Sequence, residues 1–230
     1  MSTLVFDASS IISIVLQNLI NGLENIKKNH KFYIPHKVKV EIVDNALNTK
    51  KFQLEGMLIS KKIEEGLFEV KPEIDYRELD KLVNSIFQSK QGNMKIIHAG
   101  ELEALVLVNK INADALVIDE RTTRLLIEDP IKLHHLMERK LHTKISINRT
   151  NLKKFQNMFK NLKIIRSTEM MVVAYEQGLL KDHFPTKTTK EERITALLWG
   201  LKLNGCSLSN PDLDNLVKLT KQNKQIKLNV

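Results

Sequence analysis

Thr3-Leu4-Val5-Phe6-Asp7-Ala8-Ser9-Ser10 is a short β-type run that ends on an acid, followed by a small polar step into a helical pattern over residues 11–26. The order recurs at Ala115-Leu116-Val117-Ile118-Asp119-Glu120, where an apolar run again ends on acids and a helix follows to about residue 127. Strands that alternate with helices predict a parallel sheet covered on both faces. In such sheets the functional crevice lies beyond the carboxyl ends of the strands. Asp7 and Asp119 both stand there.

Outward from these two anchors the alternation continues. A strand is expected over residues 31–34, with Pro35 as the first residue of a helix running to about 47. A helix over 52–65 precedes a strand over 67–71, which Pro72 stops. Residues 76–88 read as helix, broken by Gln91-Gly92-Asn93, and residues 100–110 as a strong helix. Further on come a strand over 162–165, a helix over 168–177 closed by Gly178, and a polar connection over 182–190. Helices over 191–203 and from Asn210-Pro211-Asp212 to about 219 finish the pattern. The expected fold is α/β with a central parallel sheet plus C-terminal helices.

At 230 residues and 42% hydrophobic, the chain suits one α/β domain with additions. The expected division is a main domain over residues 1–185, with a basic insertion at about 128–161, and a helical extension over 186–230 packed on it. The single cysteine, Cys206, forms no internal disulfide and suits a reducing compartment. No basic region precedes the first apolar stretch, and no apolar run is long enough to span a bilayer, so a cytoplasmic protein with no membrane partner is expected. Lys and Arg outnumber Asp and Glu by 36 to 27, a net charge of +9. That balance favours a polyanionic partner such as nucleic acid, although a lysine-rich composition also arises without one.

Four acids stand where chemistry is expected. Asp7 follows a strand and opens a helix, and a helix cap is its bland alternative. Glu41 borders the apolar stripe of the helix that starts at Pro35, so it must be paired, metal-bound or at a rim. Glu101 heads the stripe of Ala104, Leu105 and Val108, where the helix dipole alone favours an acid. Asp119 repeats the strand-end position of Asp7. Carboxylates from separate elements that converge at one end of a sheet suit Mg2+ or Mn2+, which prefer hard oxygen ligands.

The ordered set resembles a known family. Val5-Phe6-Asp7-Ala8-Ser9-Ser10 is similar to the opening of a PIN domain, and Ile34-Pro35-His36-Lys37-Val38-Lys39-Val40-Glu41 to its second motif. Gly100-Glu101-Leu102-Glu103-Ala104 resembles the Gly-Glu-x-Glu-Ala variant of the third, and the run from Ala113 to Arg121 the fourth. The likeness covers most of the chain except about 128–161. It implies a three-layer α/β/α sandwich and a metal-dependent endoribonuclease, either the toxin of a toxin–antitoxin pair or an RNA-processing enzyme. Its implied partners are RNA and either a protein antitoxin or a second copy of the chain.

On that reading Asp7, Glu101 and Asp119 hold one or two ions, and Glu41 completes the cluster or orients water. Two positions stay open: Glu103 is a reserve for Glu101, and Glu120 for Asp119. Ser9 is either a second-layer group that bonds a metal-bound water or a local helix-start hydroxyl. Between residues 139 and 166 there are nine Lys/Arg and no acid, with Arg139, Lys140, Lys144, Arg149, Lys153 and Lys154 as candidate RNA contacts. The alternative is a solvated helix pair, and Phe155, Phe159, Leu152 and Met158 could pack on a second subunit. His134-His135 reads as incidental, and Trp199 as core or docking surface. The rival functions are a silent RNA-binding or scaffold protein and a phosphatase of the haloacid-dehalogenase type. The latter usually wants a second Asp where this chain has Ser9.

Overall fold

Strand β1 (Ser2–Phe6) lies at the centre of a five-stranded sheet in the computed structural model, which describes residues 1–221. On one side it pairs with β2 (His30–Ile34), and β2 with β3 (Glu69–Val70). On the other it pairs with β6 (Ala115–Val117), and β6 with β8 (Lys163–Ile165). Every pairing is parallel, and the order is β3-β2-β1-β6-β8.

Side chains along a strand alternate between faces, and here the alternation feeds two separate cores. Leu4, Phe6, Phe32, Ile34, Ala115, Val117 and Ile165 enter one. Val5, Leu116 and Ile118 enter the other. On the first face Phe6 packs against Phe32 and Phe68, with ring centroids 4.8 and 5.2 Å away. Helices α1 (Ala8–Leu16), α2 (Ile20–Lys27) and α10 (Ser167–Glu176) cover that face. So do α11 (Lys190–Leu203) and α12 (Asn210–Lys221), through Leu198, Leu201 and Leu213. The second face is covered by α5 (Arg77–Val83), α6 (Ala99–Ile111) and α7 (Arg121–Glu128). Also on it are α8 (Pro130–Leu141) and α9 (Arg149–Phe159). The result is the expected three-layer α/β/α sandwich. Residues 222–230 of the expected extension lie outside the described residues.

Several local expectations differ from the structure. The helix expected over 11–26 is two helices, because Asn18 takes a left-handed conformation (φ 55°) that Asn tolerates better than most residues. Pro35 caps the next helix rather than occupying its first turn; α3 (His36–Lys39) continues as a π-helical turn, Val40–Asn45. The helix expected over 76–88 stops at Val83. There the Asn84 side chain bonds Asp80 and accepts the Ile96 amide at 2.8 Å, so Ile86 and Phe87 turn into the second core. Phe87–Ser89 (β4) instead joins a small antiparallel sheet with β5 (Gly92–Asn93) and β7 (Ser146–Ile147).

The basic segment packs its apolar side chains into the second core and leaves its cations on the solvated face. Leu152, Phe155 and Phe159 are buried in this chain's own interior, so these side chains are not a surface for a second subunit. Met158 is exposed. Trp199 is half-exposed on α11, with Lys202 Nζ 4.6 Å from its ring centroid. No helix among the described residues is long and apolar enough to cross a membrane.

Candidate active site

The site begins where β1 and β6 stop. The Asp7 amide donates to the Val117 carbonyl at 2.9 Å, which holds the two strand ends in register. Asp7 is buried and caps α1, its Oδ2 accepting the Ser9 amide at 3.1 Å and the Ser9 hydroxyl at 2.7 Å. The same hydroxyl oxygen accepts the amides of Asp119 at 3.1 Å and Glu120 at 3.2 Å. A serine hydroxyl has one proton and two lone pairs, and all three are used. Ser9 thus braces the first acid against the second strand end, with no bonding position left for a water.

Two helices bring further acids over this crevice. The π-helical turn that carries Glu41 widens the helix locally, a feature frequent at functional sites. Glu41 Oε2 lies 3.4 Å from where a side chain on Gly100 would begin, so it rests against the first turn of α6. One residue on, Glu101 is held from below: its Oε2 accepts the His98 amide at 2.5 Å. Glu120 caps α7, accepting the amides of Thr122 at 2.7 Å and Thr123 at 2.6 Å. Beside Glu41 an apolar cavity of about 240 Å³ is walled by Ile12, Val15, Phe52 and Ile59.

Charge repulsion identifies which acids face one another. Burial first, then the charges of Asp7, Glu120 and Glu41, push the Glu101 carboxyl up to about 8. Burial, reinforced by the charge of Glu41, pushes Asp7 up to about 6 against the lowering effect of its bonds to Ser9. Glu41 is raised too, by desolvation at its carboxyl, although its residue as a whole is exposed; His98 opposes that shift. The carboxyl crowding is the more informative of the two observations, because exposure of the residue as a whole does not describe its charged end. The charges of Asp7, Glu41 and Glu120 thus converge on Glu101, and that of Glu41 also on Asp7, which groups the four acids.

Asp119 and Glu103 are not brought into it. Asp119 is fully buried; its Oδ1 accepts the Ser167 amide at 2.8 Å, and burial, then the charge of Asp119, raises the Cys206 thiol. One oxygen of its carboxyl is thus held at the first turn of α10, while its Oδ2 is buried without a partner. Glu103, also fully buried, accepts the amides of Lys37 at 2.6 Å and Ile74 at 2.8 Å, tying α6 to the start of α3.

The donor set suits a hard divalent cation. It consists of carboxylate oxygens alone, and among the described residues no Lys or Arg forms an ion pair with any of the four. In a chain of net charge +9, acids left without a Lys or Arg partner, with Asp7 and Glu101 raised by burial and by neighbouring carboxylates, fit a cation brought from outside. The acids stand apart rather than in a closed shell. Among the described residues the group of three potential ligands whose atoms all lie within 4.8 Å is His134, His135 and Glu138. The amides of His98, Thr122 and Thr123 tether two of the acids, Glu101 and Glu120.

The sequence pattern did not single out His98, which holds Glu101 and faces Glu41. Its position three residues before Glu101, at the start of α6, is the signal that marks it. Arg139, Lys140, Lys144, Arg149, Lys153 and Lys154 are all exposed on or beside α8 and α9. None of the six is in an ion pair among the described residues, and Arg149, Lys153 and Lys154 line one shallow groove with Asn157.

A family model described as a PIN domain matches residues 3–129, more than half of the chain. The matched region holds all four clustered acids and ends one residue before α8. No curated protein and no solved structure matches the chain.

Proposed function

This chain belongs to the PIN-domain family, and on that premise we propose that it is an endoribonuclease that uses Mg2+ or Mn2+ bound by Asp7, Glu101 and Glu120, with Glu41 at the rim. PIN domains are generally nucleases, so hydrolysis of a phosphodiester is the reaction class. The observation that carries the proposal is the group of four acids with no Lys or Arg partner at the carboxyl ends of β1 and β6. When bound, the ion supplies activation of water and relief of negative charge at the scissile phosphate.

The chain's own residues have defined tasks. Ser9 fixes the Asp7 carboxylate in one rotamer and locks the backbone of Asp119 and Glu120 beneath it. The His98 amide fixes Glu101 in the same way. Such fixing cuts the reorganisation needed when substrate arrives. Glu41, on the exposed side of the group, is the proposed acceptor of a proton from the attacking water. In-line attack of water on phosphorus breaks the P–O3′ bond and the leaving oxygen takes a proton from solvent, giving a 5′-phosphate and a 3′-hydroxyl.

Substrate binding falls to the unpaired cations of α8 and α9, whose exposed charges attract a phosphate backbone with little regard to sequence. Phe155 and Phe159 pack inward, so neither ring offers a face for base stacking. RNA, rather than a small phosphomonoester, is therefore the proposed substrate. A toxin role with a protein antitoxin, or a housekeeping role in RNA processing, uses the same chemistry. Incubating the chain with structured and single-stranded RNA under Mg2+ or Mn2+ and analysing the product ends tests the proposal. Ends carrying 5′-phosphate support it; hydrolysis of p-nitrophenyl phosphate without RNA cleavage would return the phosphatase reading.

A further inference from the structure

We propose that His134, His135 and Glu138 form a second metal site, specific for a transition-metal ion of the zinc class and separate from the acid cluster. The three sit on one flank of α8, in the basic segment beyond the family match. Their candidate ligand atoms all lie within 4.8 Å of one another. Glu138 follows His134 by four residues and His135 by three, the spacings that place helix side chains together. Two imidazoles and one carboxylate make the donor set of a zinc-class site, not of a magnesium site.

In the sequence the histidine pair has no supporting ligand pattern nearby; in the fold the support comes from Ile145. After α8 the left-handed His142 (φ 48°) reverses the chain, and Ile145 returns alongside. Its carbonyl lies 2.6 Å from His134 Nε2. A carbonyl can only accept, so Nε2 carries the proton and Nδ1 of the neutral ring keeps its lone pair for a ligand bond. The amide of the same residue donates to Glu138 Oε1 at 3.0 Å. Outer bonds from backbone to a ligating histidine and carboxylate are what orients the ligands of a built metal site. The His134 ring also stacks on Phe87, with centroids 6.2 Å apart and planes at 17°, which fixes its plane.

A structural clamp alone accounts for His134 and Glu138 but not for His135. That ring is exposed, lies with its centroid 5.3 Å from that of His134, and has no hydrogen bond among the described residues. Tetrahedral bonds to nitrogen of about 2.0–2.1 Å put ligand atoms roughly 3.3 Å apart, so the free His135 side chain must close by about an ångström or more. Three protein ligands leave a fourth position for water. An ion here would join three side chains of α8, two of which already tie the helix to Ile145, just before β7.

The test is titration of the full chain with Zn2+ in millimolar Mg2+, together with electron paramagnetic resonance after one equivalent of Cu2+. The expected result is one zinc per chain, bound at least tenfold more weakly by His135→Ala, and a two-imidazole nitrogen signature that falls to one. His135→Gln repeats the measurement should the alanine variant melt early, and Glu138→Gln should weaken zinc as well. Zinc affinity and nitrogen signature unchanged in the His135 variants would overturn the site, as would the absence of any zinc uptake. Neither result bears on the nuclease proposal, because Asp7 and Glu101 are untouched.

Discussion

The Ser9 hydroxyl donates to Asp7 Oδ2 at 2.7 Å while accepting the amides of Asp119 and Glu120, so one oxygen joins the ends of β1 and β6 beneath the acid cluster. Ser9→Ala removes all three bonds without adding volume. Loss of an outer-layer group of this kind typically costs roughly 10–100-fold in metal affinity or activity. Ser9→Thr, which keeps the hydroxyl, should retain most of it. Magnesium titrations of cleavage by the two variants check the difference.

Glu120 and Asp119 are adjacent yet face different surroundings, the acid cluster and the first turn of α10. Glu120→Gln should lower cleavage much more than Asp119→Asn, which keeps an oxygen to accept the Ser167 amide. Cleavage rates measured under saturating magnesium decide it, and a larger loss in Asp119→Asn would return that residue to the metal.

Glu103 should behave as a structural acid. Glu103→Gln leaves one amide of Lys37 or Ile74 facing a donor, and an unsatisfied buried group costs about 1–3 kcal/mol. Urea unfolding should show that loss, while cleavage per folded molecule changes little.

The raised acids predict a pH dependence. Asp7 and Glu101 hold their protons more tightly when folded, near 6 and 8, than at their ordinary values of 3.8 and 4.5. The folded state thus binds more protons between those limits, and stability falls as pH rises from about 4 to about 8. For Glu101 alone the loss by pH 7 is on the order of 3 kcal/mol. Added magnesium should oppose it, because it replaces protons as the countercharge. Melting temperatures from pH 5 to 9 with and without magnesium test both signs.

The layered sheet is legible in the sequence because short strands alternate with helical patterns, and its two central apolar strands, β1 and β6, lead into the acids Asp7 and Asp119. What the sequence does not disclose is direction. Nothing in Asp119-Glu120 says how either carboxyl is held; pairing of β6 with β8 brings the Ser167 amide to Asp119 Oδ1, while Glu120 caps α7. Glu103 is excluded from the cluster for a similar reason, since its partners Lys37 and Ile74 are distant in sequence. The helix expected through residue 88 ends early because Asn84 bonds Ile96, a contact that local periodicity does not encode. The folding of the basic segment against β4 is hidden likewise, as charge dominates its composition while Leu152, Phe155 and Phe159 carry its packing.

Charge removal at Arg149, Lys153 and Lys154 should weaken RNA binding across sequences and flatten its salt dependence by about one unit of slope for each phosphate no longer neutralised. Binding measured from 50 to 300 mM salt, roughly the range over which such slopes are read, tests it.

The nuclease proposal stands or falls on whether Asp7 and its neighbours gather a divalent ion for RNA cleavage. The decisive comparison is RNA cleavage by the wild-type chain and by Asp7→Asn across a magnesium or manganese titration, with thermal melting as the check on folding. Metal-dependent cleavage by the wild type and none by the variant, at an unchanged fold, is the expected outcome. Full cleavage by Asp7→Asn, or wild-type cleavage that persists in excess chelator, would contradict it.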